Sequence, residues 1–96
     1  MQDVVILGSS RTAIGAFLGS LKDIPTPKLG AAAIKESVAR SGVKKEEIDE
    51  ILMGCVLAAG LGQAPARQAA IFAELPNSVR ATTINRVCGS GLKTIM

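Results

Sequence analysis

The sequence predicts a layered α/β domain, and three observations carry that expectation. Short apolar runs rich in β-branched residues alternate with segments of helical spacing, in the order strand, helix, strand, helix, strand, helix. Hydrophobic residues make up 48% of the chain but aromatic ones only 2%, with no Trp or Tyr. The core must therefore be assembled from Ala, Ile, Val and Leu, which suits closely packed helix and sheet layers. At 96 residues the chain is one small domain at most, and the alternation implies crossover connections between strands.

The first expected strand is residues 4–7, "VVIL", apolar on both faces and closed by Gly8, as in a buried strand of a parallel or mixed sheet. A long Gly-containing loop follows, in which Phe17, Leu18 and Leu21 are costly to leave in water and are expected to pack, against another subunit if not against this chain. "TPKLGAAAIKESVARSG" is the clearest helix: Thr26 is the expected cap, Pro27 the first helical residue and Gly42 the left-handed stop. Ala31, Ile34 and Val38 share its apolar face, Lys28, Lys35, Glu36 and Arg40 its polar face, and Leu29 is the misfit.

"VKKEEIDE" reads as a charged turn or short helix, and "ILMGCVL" as a second strand holding Cys55, a small buried hydrophobe there. After the loop "AAGLGQ", Pro65 opens a second helix that ends before Pro76. Residues 81–87, "ATTINRV", form the third expected strand, and Leu92, Ile95 and Met96 begin the apolar face of a last helix. That helix stops at Met96 without a C-cap and with its apolar stripe still being laid down. The expectation is the front piece of a longer protein.

Several function classes fall away. Nucleic-acid binding lacks its aromatic stacking platforms. Two cysteines 33 positions apart, with no histidine, make no metal site. The N-terminus lacks the basic start of a signal peptide, and no apolar run approaches the ~18 residues that span a bilayer. A reducing, cytoplasmic setting with free thiols is the expectation. Of the net charge of +3, residues 1–50 contribute nothing, with seven basic and seven acidic side chains. The surplus is Arg67, Arg80, Arg86 and Lys93 against Glu74 alone, in the half that holds Cys88. It is either scattered solvated charge or a mildly electropositive setting for a thiolate or anionic substrate.

"VCGSGLKT" admits three readings. As a phosphate loop it fails twice, because Leu92 separates Gly91 from Lys93 and Arg86 stands where a further Gly is needed. As a structural turn, Cys88 packs while Gly89 and Gly91 allow unusual backbone angles. As a nucleophile elbow, a strand turning sharply into a helix presents Cys88 at the sheet end. Small neighbours then leave room for substrate, and backbone N–H groups face a developing oxyanion. A helix start also favours a thiolate over a thiol. Geometry alone leaves the last two open.

Four stretches, "RTAIGAFLGSL", "ILMGCVLAAGLGQAPARQAA", "TTIN" and "CGSGL", taken in this order and spread from residue 11 to residue 92, resemble the N-terminal part of a thiolase. The resemblance implies an αβαβα layered fold with a mixed sheet, of which residues 1–96 are the N-terminal part of the N-terminal domain, the remainder and a C-terminal domain lying beyond. It implies an acyltransferase that condenses two acetyl-CoA reversibly to acetoacetyl-CoA and CoA. On this resemblance Cys88 is expected to be the acyl-thioester nucleophile, with its own backbone N–H helping to hold the oxyanion. A broader degradative 3-ketoacyl-CoA thiolase and a noncatalytic assembly or lipid-carrier relative are the alternatives. The family's activating His and second Cys lie in later segments, which agrees with the absence of His here. Residues 1–96 alone are expected to be inactive. No cofactor or metal is implied, since CoA thioesters are substrates, and no residue here is assigned to CoA binding. The implied partners are acyl-CoA substrates, the rest of the chain, and further subunits in a homodimer or homotetramer paired through the N-terminal half.

Overall fold

The computed structural model describes residues 2–96. Helix α1 is Thr26–Ser41, a 3-10 turn follows at Lys45–Glu47, and strand β1 is Glu50–Gly54. Helix α2 is Pro65–Phe72, strand β2 is Arg80–Ile84, and helix α3 is Ser90–Ile95. The strands are parallel, with Glu50 opposite Arg80, Leu52 opposite Thr82 and Gly54 opposite Ile84. A parallel pair needs a crossover, and α2 supplies it, packing beside α1.

Small side chains set how closely these layers approach. Ala31, Ala70, Ala73, Leu75 and Val79 form the buried core, with Ile34, Val38, Ile48 and Ile51 closing over it. Where α1 meets the other elements a glycine allows close approach: a Cβ on Gly30 would lie 3.0 Å from Met53 Sδ and 3.4 Å from the Ala69 Cβ.

The helix ends depart from expectation. Thr26 is not the cap of α1; Pro25 occupies that position, no side chain bonds there, and Thr26 is already helical. Pro25, whose ring fixes φ at −60 and which takes ψ 143, has the extended backbone of a cap residue. Gly42 ends α1 in the left-handed region at φ 73, as expected. For α2, the Ala66 N–H donates to Thr83 Oγ1 at 3.0 Å, so a β2 hydroxyl serves the helix start from across the fold. Its other end is a Schellman motif: Leu75 N–H donates to the Ala70 carbonyl at 3.1 Å and Glu74 N–H to that of Ile71 at 2.9 Å. Glu74 takes φ 61 in the place glycine usually fills.

The first expected strand is corrected. Residues 4–7 are in no strand and form no backbone ladder with other described residues. Val4 is 97% and Ile6 81% exposed. The run has the composition of a buried strand, but a strand exists only with a neighbour bonded along it, and β1 and β2 pair with each other. Polar bonds hold the following residues to α1 instead: Ser10 Oγ donates to the Ala33 carbonyl at 2.6 Å and Arg40 to that of Ser9 at 2.8 Å. In the next loop Leu21 packs on Gly15, whereas Phe17 is 94% exposed and meets no apolar cover among the described residues.

Candidate active site

Both strands end at one corner. The Cys55 N–H donates to the Ile84 carbonyl at 2.9 Å, one residue beyond β1. Cys55 is thus buried at the strand end, as a small hydrophobe. β2 also stops sooner than expected, at Ile84 rather than Val87.

Asn85 is the cause. Its amide nitrogen donates to the Val56 carbonyl at 3.3 Å, while its side-chain oxygen accepts the Val87 N–H at 2.9 Å. An Asn accepting from the backbone two residues on makes an Asx turn, which bends the chain out of the sheet. The Gly89 N–H then donates to the Arg86 carbonyl at 3.0 Å, closing a tight turn around Cys88. The Lys93 N–H donates to the Gly89 carbonyl at 2.9 Å, the first helical bond of α3. Cys88 therefore stands where strand gives way to helix, and it is exposed.

Two further features define what the corner can do. Among the described residues no acceptor is bonded to the Cys88 N–H, so that donor is free beside its own sulfur. The turn also lies hard against β1: a Cβ on Gly54 would come within 2.9 Å of the Ser90 carbonyl carbon and 3.0 Å of the Gly91 nitrogen. Only a residue without a side chain lets α3 start so close to the strand.

The basic surplus divides by role. Arg67 is a strut, donating to the carbonyls of Val79 at 2.9 Å and Asn77 at 3.4 Å, and so fixes the approach to β2. Arg86 and Lys93, with Gly89, Leu92 and Met96, line a shallow cavity of about 280 Å³ flanking the cysteine turn. There is no histidine, and no metal-holding group of His, Cys, Asp and Glu among the described residues. No helix of these residues is long and apolar enough to cross a membrane.

The sequence reading placed Cys88 at a strand-to-helix corner, where it is. It missed Asn85 and Gly54. An Asn two residues before a turn was a usable signal for the first; Gly54 has none, since its constraint comes from α3.

The corner is thus a strand–turn–helix that displays an exposed cysteine. Comparison with known proteins gives the family: residues 4–96 match the thiolase N-terminal domain, and the chain belongs to the thiolase family. It is 60% identical over its whole length to an acetyl-CoA acetyltransferase of Cupriavidus necator, of which it covers 24%. It is 52% identical to the mitochondrial acetyl-CoA acetyltransferase of Homo sapiens, covering 22% of that protein. A thiolase from Ascaris suum, crystallised in complex with coenzyme A, superimposes with a TM-score of 0.95 at 42% identity, over 98% of this chain and 25% of that one. The chain thus spans about a quarter of the length of the relatives it matches.

Proposed function

We propose that this chain carries the acylated cysteine of an acetyl-CoA acetyltransferase and forms the N-terminal part of its N-terminal domain. The observation that carries the reading is the pairing of an exposed Cys88 sulfur with its own N–H, unbonded among the described residues, on a corner pinned from both strands. The relatives' names supply the substrate, and the coenzyme A in the Ascaris structure agrees with it.

The Cys88 thiolate attacks the carbonyl carbon of acetyl-CoA, and the carbonyl electrons move to oxygen. The free N–H of Cys88 helps stabilise that oxyanion. Collapse breaks the carbon–sulfur bond to CoA, which leaves as a thiolate and takes a proton, and an acetyl thioester remains on Cys88. A second acetyl-CoA loses a proton from its methyl carbon to a base, and the resulting carbanion attacks the acetyl-enzyme. Acetoacetyl-CoA forms and the Cys88 thiolate returns. A thiolate suits both halves, being a soft nucleophile and a good leaving group. The base that activates Cys88 and the group that takes the α-proton belong to later segments of the polypeptide, since this stretch has no histidine and Cys55 is buried in β1's continuation. Coenzyme A thioesters are substrates, and no resident cofactor takes part.

Residues 4–7, Phe17 and the apolar side of α3 are the surfaces that the rest of the polypeptide and a second subunit of a homodimer or homotetramer cover. All three are apolar and exposed, and patches of this kind mark interfaces. A reducing, cytoplasmic setting fits two free thiols.

The test is CoA-dependent cleavage of acetoacetyl-CoA by the natural full-length protein. Cys88→Ser should lower the rate at least about 10³-fold, the scale on which losing a nucleophile acts. Unchanged activity in that variant would overturn the assignment, and faster cleavage of longer 3-ketoacyl-CoA substrates would move the protein to the degradative branch.

A further inference from the structure

We infer that Ser90 is a positioning residue for Cys88, acting by holding Val87 in a backbone conformation that valine otherwise avoids. The inference rests on Cys88 being the nucleophile. Val87 has φ 52. For a β-branched residue that region is a genuine outlier, so the surrounding structure must impose it.

The Ser90 hydroxyl is the group placed to do so. It accepts the Arg86 N–H at 2.8 Å and donates to the Val87 carbonyl at 2.7 Å. It therefore bridges the backbone from the Arg86 N–H to the Val87 carbonyl, a span that includes the Val87 N–Cα–C unit. One hydroxyl can donate and accept at once, and alanine can do neither. The Ser90 N–H reaches the same Val87 carbonyl at 3.2 Å, and Asn85 holds the Val87 N–H at 2.9 Å.

Burial makes the clamp stiff. Ser90 is 4% exposed, the one buried polar residue among those described, and Gly54 lies against its backbone. A satisfied hydroxyl in such a site has no water to exchange with. Because Cys88 follows Val87 directly, the Val87 conformation sets the direction in which the chain leaves the sheet. With it go the aim of the Cys88 sulfur and of its N–H. Ser90 touches neither substrate nor reacting atoms in this scheme; it acts through Val87.

The test is a double-variant cycle in the natural full-length protein: wild type, Ser90→Ala, Val87→Gly and both together. The readout is the single-turnover rate of acetyl transfer from acetyl-CoA to Cys88, followed by the mass of the Cys88 peptide across acetyl-CoA concentrations. Ser90→Ala should slow the saturating rate about 10²-fold, the cost of misplacing a reacting group by about 1 Å, with half-saturation changed less than about threefold. Glycine adopts positive φ without help, so in the Val87→Gly background the Ser90→Ala loss should shrink to about tenfold or less. An equal loss in both backgrounds would mean that Ser90 merely packs, and would overturn the inference. Should Ser90→Ala leave no folded protein, a folded and acylating double variant supports the clamp, while a double variant as badly folded as the single one refutes it. Wild-type protein that takes no acetyl group at Cys88 would instead sink the functional reading.

Discussion

Gly54 and Asn85 decide the geometry of the corner as much as Cys88 does, and neither carries chemistry of its own. Adding a methyl group at Gly54 sets it 2.9–3.0 Å from backbone atoms of Ser90 and Gly91. Backbone cannot rotate away as a side-chain tip can. Gly54→Ala should therefore cost about 1–3 kcal/mol, read as a lower urea midpoint in the full-length protein, and should slow acylation of Cys88 as the turn is pushed off β1. A midpoint and rate equal to wild type would show that α3 can yield. At this scale the sequence displayed the proposed nucleophile and concealed its supports. "CGSG" announces a small-residue corner because the chemistry is local. The Asn85 link to Val56 spans 29 positions, and the pressure on Gly54 comes from α3. Such proximities are products of folding, and no window of sequence holds them.

At the scale of elements, apolar spacing located α1 and α3 and the flanking prolines located α2, and the errors are at the helix ends. Thr26 had the right residue type for a cap but stands after Pro25, which takes that position. The cap of α2 comes from Thr83 on β2, beyond any local signal. Thr83→Val keeps shape and volume but leaves the Ala66 N–H unmet, and should destabilise by about 1–2 kcal/mol in denaturant titration. Val79 is among the largest fully buried side chains, and Val79→Ala should cost about 1.5–3 kcal/mol by the same measurement.

The α2 terminus also carries a pH signature. A hydrogen bond from Lys35, then the charges of Lys35 and Lys45, hold the Glu74 carboxyl below its ordinary value of 4.5. A depressed carboxylate contributes stability above its unfolded value and loses it as pH falls through the folded one. The pair is exposed, with Lys35 Nζ and Glu74 Oε2 3.1 Å apart, so its contribution is small and screened by salt. The melting temperatures of wild type and Glu74→Gln should differ slightly at neutral pH and converge as pH falls below the ordinary carboxyl value of 4.5; a gap that widens on acidification would contradict the pairing.

At the scale of the whole molecule, the α/β class was legible because alternating aliphatic runs survive as strands and helices from α1 onward. The exception is residues 4–7, where composition promised a strand and the chain offers no neighbour. A strand is a relation between two segments, so a run can have every local property of one and still stand unpaired. The same exposure extends to Ile14, Phe17, Leu57, Leu92 and Ile95. Purified residues 1–96 should therefore associate in a concentration-dependent way in light scattering. They should also show no thiolysis of acetoacetyl-CoA above background, having the proposed nucleophile but no histidine. Enzyme-like turnover by that stretch alone would refute the division of labour proposed between the cysteine corner and the later segments.

The most direct measurement is peptide mass spectrometry of the natural full-length protein after brief exposure to acetyl-CoA. The account predicts one acetyl group on the peptide bearing Cys88, none on that bearing Cys55, and its discharge when CoA is added. An unmodified Cys88, or an acetyl group carried by Cys55 instead, would contradict it.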